Sequence, residues 1–522
     1  MEKEFFCTKT EPSVEVPGGW VRGYRYDGVY TFLGIPYGQA KRFRMPEAPA
    51  PWEGYRDATI PGFNCPSIGH SQAVDGFPHN FWLESEDCLN LNVWTPSLKP
   101  GDKKPVLVWL HGGAFAYGSP LRQPAYEGFA LAQHGDVVVV SITNRLNIFG
   151  FMDLSAFGEE YHNSGNAGIA DIVFAMKWIQ NNIAKFGGDP DNVTICGQSG
   201  GGGKVTALMQ CPSADGTFQK AIIMSGVGFR NLMSNGTSTA VVKMLEILGK
   251  PTDDATPLEN LPAAELIRLY KKAAAGMKDQ GINLSFGPIA NDYFDGLPCD
   301  CGENFQFSKR AKKIPVIIGS TFTEFNLSAD LPDKKELNED ETMEVLRGLF
   351  GEDTDYLVRL FRKAYPDKPI LELGYLDSMV RKGTYDFLDR RVRTCDAATY
   401  AYIFTPEIQY NGGIPAWHSS DMAYLFHNVS ITPVANIQGA SDQIEKQFSE
   451  MWLQFAKTGD PSGDAFDEPW RPYTAEDPAV MRIDVNSSVN RDYDKELVTF
   501  MSEKYSNLLL KNLFRRPLMI GL

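Results

Sequence analysis

Six apolar runs, four of them between residues 105 and 225, leave this chain few ways to fold. Residues 105–111, 136–142, 193–196, 221–224, 314–318 and 400–404 are short and almost uninterrupted in apolar character. That pattern marks strands covered on both faces. Before the third run, Ile172, Ala175, Trp178, Ile179 and Ile183 recur at helical spacing, and the segment stops at Gly187-Gly188. Apolar strands separated by helices predict an α/β architecture, a mostly parallel sheet with helices on both faces. In such sheets reactive groups collect beyond the carboxyl ends of the strands. Residues 230–310 and 330–395 are rich in charged helix formers and are predicted to be helical insertions between late strands. The run Asp333-Lys-Lys-Glu-Leu-Asn-Glu-Asp-Glu341 is predicted to be a solvated face. No repeat or linker interrupts the chain, so residues 1–522 read as one domain with helical elaborations.

The formal net charge of −15 argues against a nucleic-acid partner, which needs a basic face, and against an anionic membrane surface. No apolar run approaches the length of a membrane span. Residues 497–514 are predicted to form an amphipathic helix docked on the protein's own core. The start, Met-Glu-Lys-Glu-Phe-Phe-Cys, does not read as a basic, then apolar, leader, and the expected location is cytoplasmic. Monomer and homodimer are both compatible with the sequence.

The chemistry is carried by Gly197-Gln198-Ser199-Gly200-Gly201, which follows a predicted strand and precedes a helix-like stretch, 204–209. A strand turning sharply into a helix strains the central residue and projects its hydroxyl, and flanking glycines relieve the crowding. A bare motif of this kind also fits a connecting loop or a phosphate cradle. The cradle reading lacks the Gly-Lys-Ser/Thr ending of a phosphate-binding loop. A serine nucleophile also needs donors for the oxyanion it generates. His111-Gly112-Gly113-Ala114-Phe115 follows another predicted strand at the place expected for them. The backbone N–H groups of Gly113, Ala114 and Gly200 are the predicted donors.

The base must follow the acid, and the acid the serine. That order leaves His418 and His427 among the seven histidines, at 70, 79, 111, 134, 162, 418 and 427. His418 lies in a loop soon after a late strand and is the predicted base. His427, among aromatics, is predicted to be structural or part of a cleft wall. Glu324, just beyond the run at 314–318, is the predicted acid, holding the imidazole tautomer. Asp421 is a rival too close to His418 in sequence, expected to support the loop. Phe115, Phe322 and Trp417 suggest an apolar, substrate-contacting cleft, although core packing explains aromatics equally well.

These residues, and others along nearly the whole chain, resemble the type B carboxylesterase and cholinesterase family. The resemblance includes Phe32-Leu-Gly-Ile-Pro-Tyr-Gly38, Ser85-Glu-Asp-Cys-Leu-Asn-Leu-Asn-Val93, Gly165-Asn-Ala-Gly-Ile-Ala-Asp171 and Phe455-Ala-Lys-Thr-Gly-Asp-Pro461. It implies an α/β-hydrolase fold, a Ser-Glu-His triad at Ser199, Glu324 and His418, three backbone oxyanion donors, and neither cofactor nor metal. The implied reaction is hydrolysis of small, apolar carboxylic esters through an acyl-enzyme, in a branch similar to bacterial para-nitrobenzyl esterases. The alternatives are a non-catalytic binding protein on the same fold, or the same site acting on amides, carbamates or lactones. This chain departs from the family's usual Glu-Ser-Ala with Gln198-Ser199-Gly200, from its last oxyanion glycine with Ala114, and from Asp-Glu-Gly with Thr323-Glu324-Phe325. Secreted relatives bridge the cysteines matching Cys65 and Cys88. In a reducing compartment that bridge is expected to stay open, and the loop between them, with Phe77, His79, Phe81 and Trp82, is expected to form an aromatic rim.

Overall fold

A computed structural model describes residues 3–69, 79–228, 233–296, 306–325, 331–466, 468–491 and 493–515, with side chains in the last helix described as far as 506. Its centre is a twelve-stranded sheet. In chain order the strands are β1 (Phe5–Phe6), β2 (Tyr24–Tyr26), β3 (Val29–Pro36), β4 (Asn90–Thr95), β5 (Lys104–Leu110), β6 (Val138–Ile142), β7 (Gly188–Gln198), β8 (Lys220–Met224), β9 (Val316–Thr321), β10 (Thr399–Phe404), β11 (Ala479–Ile483) and β12 (Ser488–Arg491). Across the sheet they run β1-β2-β3-β4-β6-β5-β7-β8-β9-β10-β11-β12. The seven from β6 to β11 are parallel; for example, Ile195 of β7 faces Val108 of β5 and Ala221 of β8. The strands outside them pair antiparallel.

The six apolar runs became β5 to β10. Each is buried on both faces because helices cover both sides of the sheet. Successive residues of β5 divide between two cores: Val106, Val108 and Leu110 on one face, Leu107 and Trp109 on the other. The main helices of that cover are α1 (Ala167–Asn182), α2 (Gly200–Met209), α3 (Thr237–Ile247), α4 (Ala263–Lys278), α5 (Glu339–Phe350), α6 (Thr354–Ala364), α7 (Val380–Thr394), α8 (Ser441–Thr458) and α9 (Lys495–Arg515). Helices α3 and α4 fall in the first predicted insertion, and α5 to α7 in the second.

The run at 333–341 is mostly exposed, and its acids open α5. Asn338 accepts from the Glu341 N–H while the Glu341 carboxylate accepts from the Asn338 N–H, a reciprocal cap that also suits the positive helix end. Lys334 departs from a solvated face: it donates to the buried Glu372 carboxylate at 2.8 Å and pairs with Glu407. Helix α9 docks on the protein through buried Leu497, Val498 and Met501, and Tyr505 donates to the Phe350 carbonyl at 2.8 Å. Among the described residues no helix is long and apolar enough to cross a membrane.

Candidate active site

The strands β7, β8, β9 and β10 are parallel neighbours, so the segments leaving their carboxyl ends meet at one rim of the sheet. Ser199 leaves β7, Ser225 leaves β8, Glu324 lies three residues beyond β9, and His418 lies in the loop after β10. Ser199 sits between β7 and α2 with φ 59° and ψ −128°, a costly conformation for a residue with a Cβ. The turn is held by the Ser199 N–H donating to the Met224 carbonyl at 2.8 Å. It has no room for side chains beside the serine. A Cβ on Gly197 would stand 2.4 Å from the Gly201 backbone, and one on Gly201 would stand 2.0 Å from the Leu110 carbonyl oxygen.

The loop after β5 lies directly on this elbow. A Cβ on Gly112 would meet the Gln198 carbonyl at 2.8 Å, and one on Gly200 would meet the Ala114 nitrogen at 2.4 Å. Gly113, Ala114 and Phe115 take φ of 103°, 50° and 61° in succession. This left-handed run turns the peptide planes of Gly113 and Ala114 out of ordinary pairing. Among the described residues neither N–H has a backbone acceptor, and Ala114 lies against Gly200, the first residue of α2. Only glycine fits at 113, where a Cβ would lie 1.9 Å from the Tyr117 carbonyl oxygen.

His418 and Glu324 are joined twice. The imidazole Nδ1 donates to Glu324 Oε2 in a short bond, and the His418 N–H donates to the Glu324 carbonyl at 3.0 Å. The second carboxylate oxygen accepts from the Thr321 N–H at 2.7 Å and from the Ser225 hydroxyl at 2.6 Å. With one carboxylate oxygen on Nδ1, the imidazole presents Nε2 to the elbow, where Gln198 Nε2 stands 3.1 Å away. The Phe325 ring covers the imidazole, centroids 4.0 Å apart. Two more acids lie beneath. Asp421 accepts from the Tyr402 hydroxyl at 3.2 Å, and Asp377 caps α7 through the Arg381 N–H at 2.7 Å. Burial, and then the charge of Glu324, push both carboxyls up to about 8. Both carboxyls are therefore held largely protonated at neutral pH.

Other sequence expectations land elsewhere. His427 pairs with Glu445 at 2.9 Å, which raises its pKa, and its ring lies on His134; it is a structural residue away from the elbow. Phe115, Phe322 and Trp417 have no exposed surface. Phe115 packs on Phe151, Phe322 on Phe361 and Tyr365, and Trp417 on Tyr410. The strand ends that carry them point these rings into the core behind the site, which corrects their expected place in a cleft surface. Phe81 and Trp82 are exposed, and neighbouring Asn80 bonds to the Leu121 and Arg122 carbonyls beyond the loop that follows β5. Phe77 lies outside the described residues. Cys65 and Cys88 are buried free thiols, and a hydrogen bond with Cys65, then burial, holds the Cys88 thiol protonated. Sequence reasoning missed Ser225, Gln198 and Phe325 as neighbours of the acid and base. Gln198 and Phe325 gave a local signal, each by its departure from the family's usual residue, a glutamate and a glycine; Ser225 gave none.

Comparison with known proteins agrees with this architecture. The family model described as "Carboxylesterase family" matches residues 10–501. The para-nitrobenzyl esterase of Bacillus subtilis is 32% identical over 504 residues, covering 93% of this chain and 98% of that protein. An esterase from anaerobic Clostridium hathewayi that can hydrolyze aliphatic aromatic polyesters superposes with a TM-score of 0.90 at 39% identity, covering 96% of this chain and all of that one. The Geobacillus stearothermophilus carboxylesterase superposes with a TM-score of 0.71 at 32% identity, covering 93% of this chain and 99% of that one.

Proposed function

Since the chain belongs to the carboxylesterase family, has the α/β-hydrolase fold and hydrolyses carboxylic esters, we propose that Ser199, His418 and Glu324 carry that reaction through an acyl-enzyme. The observation that carries the reading is the meeting of segments far apart in sequence. The Glu324–His418 pair presents Nε2 beside the elbow whose next residue is Ser199.

The Ser199 hydroxyl attacks the ester carbonyl while His418 Nε2 takes its proton, and the buried Glu324 carboxylate stabilises the imidazolium. Charge on the former carbonyl oxygen is met by the N–H groups of Gly113, Ala114 and Gly200, held in position before the reaction begins. Collapse expels the alcohol, protonated by His418. Water, deprotonated by the same imidazole, then releases the acid. The substrates are uncharged esters with apolar acyl groups, a class that includes those named for the Clostridium hathewayi esterase. One continuous catalytic domain and a cytoplasmic location belong to the same proposal. Two adjacent buried thiols at Cys65 and Cys88 suit a reducing compartment.

The test is burst release of a chromogenic alcohol from an activated ester. Wild type should give about one equivalent of alcohol per protein before steady state. Ser199→Ala should show no burst and a kcat lower by roughly 10⁴ to 10⁶. Ester turnover in that variant matching wild type would remove Ser199 from the mechanism.

A further inference from the structure

A lysine lies buried in the middle of α2, five residues after the nucleophile, with no exposed surface at all. Its Nζ donates to the His111 carbonyl at 3.1 Å and to Asn144 Oδ1 at 3.0 Å, and stands 3.3 Å from His111 Nε2. On the far side of the same ring, His111 Nδ1 stands 2.8 Å from the Gly112 carbonyl oxygen. A carbonyl can only accept, so Nδ1 carries the proton and Nε2 is the acceptor left for Lys204. In a trans peptide the C=O and the next N–H point in opposite directions. A Gly112 carbonyl held toward His111 therefore holds the Gly113 N–H toward the opposite side, where the oxyanion forms.

We propose that Lys204 and His111 form a positioning relay for the oxyanion hole, in which Lys204 donates to His111, His111 donates to the Gly112 carbonyl, and the Gly113 N–H is thereby oriented and polarised. The inference rests on the reading of Gly113 as an oxyanion donor and assigns residues that act through it. Hydrogen bonds in series strengthen one another in a low-dielectric interior, and each link here is buried. Lys204 also ties three segments that must keep register: α2 behind the serine, the oxyanion loop, and the turn after β6 that holds Asn144. The Asn144 amide is oriented by donating to the Arg145 carbonyl at 2.7 Å. The ionisation states agree. Burial, and then the charge of Lys204, hold His111 well below its ordinary pKa, which keeps the ring neutral with one donor and one acceptor. Burial brings Lys204 itself down to about 7.

A positioning role separates from a merely structural one by what it does to the transition state relative to the ground state. Lys204→Met keeps the length and apolar stem of the side chain and removes its donors. In the folded variant kcat should fall about tenfold to 100-fold with KM unchanged. Binding of a trifluoromethyl ketone, which forms a tetrahedral oxyanion on the serine, should weaken by the same factor. Binding of the alcohol product, which forms none, should not change. A folded Lys204→Met with kcat and ketone affinity within twofold of wild type overturns the proposal, as does equal weakening of ketone and alcohol.

His111 supplies the second arm should Lys204→Met not fold. His111→Asn places an amide donor where Nδ1 was and can still hold the Gly112 carbonyl, whereas His111→Leu cannot. The relay requires kcat to be higher in Asn than in Leu at the same KM; equal kcat values overturn it. Ser199→Ala, run alongside, distinguishes the two levels. A dead Ser199→Ala with an unimpaired Lys204→Met refutes the relay alone, while an active Ser199→Ala refutes the catalytic reading beneath it.

Discussion

Single residues at this site are held in conformations that their side chains oppose. Ser199, Ala114, Phe115, Ser225 and Glu324 all have φ between 45° and 61°, and each sits where a strand has just ended at the rim. Such strain persists only when surrounding contacts over-determine the geometry, and here the contacts are backbone against backbone at the elbow. Gly113→Ala should therefore be severe: the methyl meets the Tyr117 carbonyl oxygen at 1.9 Å, and the loop must shift. The expected outcome is a loss of roughly 10² to 10³ in kcat. The loss should exceed any change in KM in steady-state kinetics. Gln198 gives a test of a different kind. Its neutral amide stands 3.1 Å from His418 Nε2, and Gln198→Glu would put a carboxylate there, favouring an imidazolium that, in the proposed mechanism, cannot accept the Ser199 proton. The acid limb of the kcat/KM profile should move to higher pH by about one unit. An unmoved profile would separate the Gln198 side chain from the base in solution.

At the scale of elements, the site depends on how loops after different strands are pinned to one another. The turn after β6 carries Arg145, whose guanidinium and backbone N–H clasp the Asp171 carboxylate of α1 at 2.6 to 3.0 Å, with both side chains buried. Breaking such a pair strands a buried charge. Asp171→Ala should cost about 3–5 kcal/mol in the urea unfolding transition, with Asp171→Asn intermediate. The same scale explains what could be read from sequence. Strands β5 to β10 were legible because two covered faces demand uninterrupted apolar side chains. The antiparallel strands were not: β4 interleaves Asn90 and Asn92 with its apolar residues, and β2 has three residues, all half-buried. The glycines at 112–113 and at 197, 200 and 201 were legible because local crowding there demands them in a fixed order. Glu324 and His418 could be reached only through chain order and strand ends; Ser225 and Phe325 also follow strand ends, but their contacts with the acid and the imidazole are set by the stacking of parallel strands and leave no pattern in the sequence. Lys204 did leave a mark, a lone charge within Gly200–Met209, but only its contacts say what it holds.

For the molecule as a whole, gathering the site at the rim of a buried sheet places carboxyls where water cannot ionise them. Asp377 and Asp421 keep their protons up to about 8 in the folded protein, against an ordinary value of 3.8. Between those limits the unfolded chain has released protons that the native state retains. Stability is therefore highest below about pH 4, as far as these two groups decide it, and falls as pH rises toward 8. Each group contributes a slope of up to about 1.4 kcal/mol per pH unit. Lys204 acts in the opposite sense above about pH 7: its folded value lies below the ordinary 10.5, so the unfolded chain binds the extra proton and stability recovers as pH rises. The net charge of −15 adds self-repulsion that also grows with pH, but added salt screens that surface term and leaves the buried groups nearly untouched. Urea unfolding from pH 5 to 8 at high salt isolates the buried contribution. There Asp421→Asn, which keeps an acceptor for the Tyr402 hydroxyl and cannot ionise, should flatten the dependence by up to one proton's worth. A variant as steep as wild type would mean that Asp421 is already ionised in the native protein.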